Sequence, residues 1–193
     1  MERPFSRELL RAVRELRQGL KQKVDHFGGA GRVPTMAELE RVEPGTVGEA
    51  IFHPQQHRPT SHLAEGAHRE RVEQAIADVR AFERMAEQLK AECRSAVGGG
   101  AEAPTLVEKW PSICSLVFKM DDHCADKIFA NMPACMQFCS QDKEHAATAE
   151  CRELTGLSVR FRVHLCESYS ACIDYLDQVS VGEVVEEEKE KLS

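Results

Sequence analysis

Apolar residues recur at steps of three and four along much of the chain, and this spacing predicts helices. In residues 1–27, Phe5, Leu9, Val13, Leu16, Leu20, Val24 and Phe27 form such a series with arginines between them, the pattern of an amphipathic helix. Gly28-Gly29 is its stop signal. Two uses of the apolar face stay open: contact with a membrane surface or partner, or packing as a docking arm or core helix. Residues 69–94 give the clearest series, with Val72, Ile76, Val79, Phe82, Leu89 and Cys93 on one face and Glu/Arg/Lys on the other. A helix over Pro111 to Asn131 carries Cys114, Val117, Cys124 and Ile128 on one side. Pro111 suits a first turn, and Pro133 is expected to end or kink the helix. A last helix from about His145 to Gln178 has the stripe Cys151, Leu154, Phe161, Leu165, Cys172 and Leu176, with Cys166 beside it. Val159, Phe161, Val163 and Leu165 also alternate at period two, so a strand competes there; the longer helical period favours helix.

Between these helices the pattern fails. Residues 28–68 hold Pro34, Pro44, Pro54 and Pro59 with no sustained period, and are expected to be an extended arm that gains order on another protein. Four histidines lie there, His53, His57, His62 and His68, without ligand spacing; a solvated loop is expected rather than a metal site. Residues 95–109 contain Gly98-Gly99-Gly100 and form a linker, and residues 179–193 form an acidic tail. The expected fold is all-α: a disulfide-stapled, coiled-coil-like helical hairpin over residues 110–178, an amphipathic N-terminal helix, the extended arm and an additional long helix.

Composition narrows the function classes. Only 6% of the 193 residues are aromatic, so the core must rest on aliphatic residues, cysteine and methionine. The net charge of -7 argues against non-specific nucleic-acid binding. No apolar run approaches the roughly 18–20 residues of a membrane span, so association with a membrane is expected to be peripheral at most. The first residues are rich in arginine and have no apolar signal core. Residues 1–33 carry eight Lys/Arg against four Asp/Glu, which fits a mitochondrial presequence poorly.

The cysteines change the picture most. All eight lie between Cys93 and Cys172, and seven fall in the 59 residues from Cys114 to Cys172. Such density is typical of a disulfide scaffold. Cys114 and Cys124 are separated by nine residues, Cys124 and Cys135 by ten, and Cys139 and Cys151 by eleven. About three helical turns return two sulfurs to nearly one face, so antiparallel helices with such pairs can be stapled twice. The disulfide candidates are Cys93, Cys114, Cys124, Cys135, Cys139, Cys151, Cys166 and Cys172. In a nested pairing Cys124 bonds an early cysteine of the last helix, such as Cys151, and Cys114 a later one, such as Cys166. Zinc is the competing use, but Cys135-x3-Cys139 is a close pair without a matching second; reduced core cysteines are the other alternative.

The stretch Cys114-SLVFKMDDH-Cys124 resembles the Cys-x9-Cys helices of the coiled-coil-helix-coiled-coil-helix proteins of the mitochondrial intermembrane space. The likeness covers roughly Pro111 to Leu176. It implies oxidative folding in that space without a cleaved presequence. His123-Cys124-Ala125, Cys172-Ile173-Asp174-Tyr175 and Pro34-Thr35-Met36-Ala37-Glu38-Leu39 are similar to pieces of the eight-cysteine accessory subunits of respiratory complex I. The cysteine rhythm is also similar to the GCK domain of plants and algae.

No phosphate loop, nucleophile elbow, zinc-protease motif or Cys-x-x-Cys occurs. His123 follows Asp121-Asp122 and precedes Cys124, but neighbours on a helix point about 100° apart, which disfavours a Cys/His base pair. The expectation is a non-enzyme with no catalytic residue, cofactor or metal: an accessory subunit of a respiratory-chain (electron transport) complex on the intermembrane-space side, complex I slightly favoured, with other protein subunits as partners. An assembly factor or metallochaperone of the same space, and a filament or axoneme component, are the alternatives.

Overall fold

A computed structural model describes residues 7–28, 65–98 and 106–192, all of them in helices except the short turns around Gln141 and Ala147. In chain order the helices are α1 (Arg7–Gly28), α2 (Glu65–Gly98), α3 (Leu106–His123), a π turn (Cys124–Ile128), α4 (Phe129–Ser140), the single turn α5 (Lys143–Ala146) and α6 (Ala149–Leu192). The all-α class is therefore seen directly. The arm expected over residues 28–68 now covers less chain: Gly28 ends α1, 65–68 belong to α2, and the remainder lies outside the described residues. The acidic tail continues the backbone of α6 to Leu192.

Two compact units divide the chain. One holds residues 1–32, 86–117 and 165–193, and the other 33–85 and 118–164. Each of α2, α3 and α6 contributes a stretch to both.

In the first unit, α1 turns its stripe inward. Val13 and Leu20 are 1% exposed, so part of its apolar face packs in the core, while Leu9, Leu16, Val24 and Phe27 stay half-buried. Arg17 grips Asp177 of α6 with two N–H donors, and Lys23 Nζ lies 5.8 Å from the centroid of the Tyr169 ring. Lys90 bonds Glu167 at 3.0 Å, and the Ser112 hydroxyl donates to Glu92 at 3.0 Å. Leu106 is buried and adds a turn ahead of the expected start of α3, so Pro111 sits inside the helix rather than in its first turn.

In the second unit, Phe82 and Phe161 meet edge to face at 4.8 Å, and Phe129 meets Phe161 at 6.1 Å. The helix that begins with α3 does not end at Pro133. It continues to Ser140, because Met132, Cys135, Met136 and Cys139 all bury their side chains there. A proline inside a helix costs about 3 kcal/mol, and each buried core side chain returns about 1.5–3 kcal/mol. The buried series Met120, Cys124, Ile128 and Met132 steps by four three times. An α-helix would rotate such a series off its face; the wider π turn from Cys124 to Ile128 keeps it in line.

The chain then reverses. Asp142 caps α5, its carboxylate accepting the His145 N–H at 2.7 Å. The Thr148 hydroxyl donates to the His145 carbonyl at 2.7 Å and accepts the Cys151 N–H at 3.4 Å, which opens α6. The Cys139–Cys151 disulfide, with Cα atoms 5.4 Å apart, staples this neck, so the helical hairpin carries at least one staple.

The period-two run in α6 is resolved as helix. Leu154, Leu157, Ser158, Val159, Phe161, Val163, His164, Leu165, Cys166, Ser168 and Tyr169 are all buried, so this stretch is enclosed on most sides and only a narrow polar strip, with Glu153, Arg160 and Glu167 seven residues apart, marks its period. Its buried hydroxyls bond back to the helix: Thr155 to the Cys151 carbonyl at 2.8 Å, Ser158 to Thr155 at 2.7 Å and Ser168 to Leu165 at 3.1 Å.

Candidate functional site

The cysteines fall into groups set by their helices. The disulfide joins the last turn of α4 to the first turn of α6. Cys151 therefore bonds Cys139, not Cys124 as the nested pairing expected. The chain reverses so tightly at residues 141–148 that position 139 is the one brought opposite position 151. Two signals in the sequence point there: Asp142 and Thr148 are helix-capping types, and the interval from Cys124 to Cys139 equals that from Cys151 to Cys166.

In the first unit, Cys93 on α2 and Cys172 on α6 are both 0% exposed, and the Cys93 thiol acts electrostatically on Cys172. The Cys93 thiol, together with burial, pushes the Cys172 thiol far above its ordinary pKa, and Cys114 on α3 adds to the effect. Cys114 is half-buried, and desolvation raises its own pKa. Tyr175, one turn beyond Cys172, is pushed up to about 12 by burial, with Cys93 and Cys172 contributing.

In the second unit, Cys135 is buried and pushed up to about 11, mainly by desolvation. It lines a cavity of about 50 Å³ with His68, Arg71, Val72, Asn131 and Phe138. His68 is not in a solvated loop: it belongs to α2, is 8% exposed, and stacks on Phe138 with the ring planes 5° apart and the centroids 4.3 Å apart. His145 tilts against the same phenylalanine at 4.5 Å. The other histidines of that group, His53, His57 and His62, lie outside the described residues. Cys124 opens the π turn and Cys166 lies on α6; each is 4% exposed.

His123 is anchored rather than poised for chemistry. Its Nε2–H donates to the Asp78 carbonyl at 2.6 Å, which ties the end of α3 to α2. Among the described residues, no three His, Cys, Asp or Glu side chains converge as a metal-holding group. No helix among them is long and apolar enough to cross a membrane.

The arrangement suits mechanical work by sulfur. One pair is already bonded, and the buried thiols whose pKa is raised are protonated and weakly nucleophilic at neutral pH. The chain matches no protein-family model, no curated protein and no solved structure.

Proposed function

We propose that this protein is a non-catalytic accessory subunit of a respiratory-chain complex, held on the intermembrane-space side of the mitochondrial inner membrane. The observation that carries the reading is the Cys139–Cys151 cystine at the hairpin neck, within a chain whose eight cysteines are so concentrated. A cystine that serves as a structural staple requires an oxidising compartment. The mitochondrial intermembrane space is a compartment of this kind. The Cys-x9-Cys likeness around Cys114 and Cys124 points the same way, and the shorter similarities favour complex I.

The half-exposed polar surface of these helices offers contacts to other subunits. Among the described residues, Phe118, 61% exposed, is the most open of the large apolar side chains. A free-standing assembly factor or metallochaperone of the same space is the second reading. The cystine supports it equally, and association with a large complex separates the two.

The test is protease protection in intact and outer-membrane-ruptured mitochondria, followed by native electrophoresis of detergent extracts. The reading expects protection that is lost on rupture, and co-migration with a respiratory complex. Protein that remains protected after rupture, or that migrates only as a small species, overturns the subunit assignment.

A further inference from the structure

We propose that the cavity between α2 and α4, inside the second unit, is a binding site for a small monocarboxylate. The proposal stands on the chemistry of this cavity and is independent of the respiratory-chain reading. The space is about 50 Å³. A single water needs roughly 10–15 Å³, so the cavity holds about four waters or a ligand of about five non-hydrogen atoms.

The lining sorts by chemistry. Val72, Ala134 and Phe138 supply apolar wall. Arg71 and Asn131 line the same space and are exposed, so their N–H donors are open to an entering ligand. His68 is 8% exposed, and its ring is held by the stack on Phe138 at 4.3 Å, which fixes one side of the site before any ligand arrives.

Charge decides what enters. No carboxylate occurs among the described lining residues, so the guanidinium of Arg71 meets no opposite charge within the cavity. Cys135 supplies none either: burial pushes its thiol up to about 11, which keeps it neutral at pH 7. Asp78, which also acts on Cys135, is buried on α2 and accepts the Gln74 side-chain N–H at 3.0 Å. A planar guanidinium fork binds a carboxylate through two parallel N–H···O bonds. Phosphate can take the same fork, but it has no alkyl part for Val72, Ala134 and Phe138. Propionate has both parts, and its five non-hydrogen atoms match the volume.

The full chain, isotope-labelled in methyl and amide groups, is titrated with sodium propionate at fixed ionic strength and followed by NMR. The expected result is saturable shifts of the Val72 and Ala134 methyls and the Asn131 side-chain amide, with a dissociation constant of about 1 mM. Propionamide, the neutral analogue of the same size, should bind about tenfold more weakly or not at all. Arg71→Gln changes an exposed position and should weaken propionate by about tenfold. Ala134→Leu fills the cavity without touching its charge and should abolish the shifts. Shifts that do not saturate overturn the proposal, as do equal affinities for propionate and propionamide or unchanged binding in either variant. Phosphate bound as tightly as propionate overturns the choice of a carboxylate with an alkyl tail. A blocked glutamyl tripeptide that matches propionate overturns the small-molecule assignment, because the carboxylate would then come from a partner's side chain. Should Ala134→Leu not fold, Arg71→Gln and propionamide decide between them.

Discussion

Phe161 lies between two other aromatic rings and is 0% exposed, so its side chain has no water to fall back on if its partners are lost. Phe161→Ala removes both ring contacts and leaves a cavity, and should cost about 3–5 kcal/mol in urea unfolding. Phe118→Ala, at an exposed position, should change stability by less than about 0.5 kcal/mol in the same assay. Cys135 adds a pH dependence. Its ordinary value of 9.0 rises to about 11 in the folded chain, so the unfolded chain loses its proton first as pH climbs. The buried neutral thiol therefore contributes its full stability below pH 9, and that contribution is lost as pH rises through 9 to 11. Two pKa units correspond to about 2–3 kcal/mol, to be read as a falling urea midpoint over that window and a flatter one in Cys135→Ala.

At the scale of elements, α6 organises the structure. Its stretch from Leu154 to Leu176 is buried on most sides, and its backbone amides should exchange last in hydrogen-exchange measurements, near the global unfolding rate. Gly156 interrupts this helix without a packing reason, since an added Cβ there meets nothing within 4 Å. Gly156→Ala should therefore stabilise by about 0.5–1 kcal/mol through helix propensity, raising the thermal midpoint by a few degrees. A fall in stability would show that the glycine serves something other than the helix. The π turn is the opposite case: an irregularity that keeps Cys124, Ile128 and Met132 on the stripe begun by Ile113 and Val117.

For the whole molecule, the cystine at the hairpin neck links stability to redox state. The closed loop spans 12 residues, for which chain entropy gives about 2–3 kcal/mol. Cys139→Ser with Cys151→Ser should lower unfolding stability by that amount. If the accessory-subunit reading is right, cells carrying this variant should show less of the protein and less of its complex, in parallel. Turnover per assembled complex should stay near the normal value. Normal abundance with lost turnover would show that the sulfurs take part in chemistry, and the scaffold reading would then fail.

Local pattern alone determined the helical class, the approximate helix positions and the density of cysteines. The three- and four-residue steps of α1 and α2 are visible because each of these helices keeps a polar face, and the capping types at Asp142 and Thr148 mark the turn that the disulfide closes. Tertiary structure decided the rest. Whether Pro133 stops a helix depended on how much buried surface lies beyond it, and the period-two run is helix in a stretch of α6 that is buried on most sides. The partner of Cys151 depended on where the chain reverses, and the burial of Cys93 and Cys172 on bringing distant helices into one core. Eight cysteines admit many pairings, and nothing local distinguishes them; the distance between sulfurs does, and that distance exists only once the helices have packed.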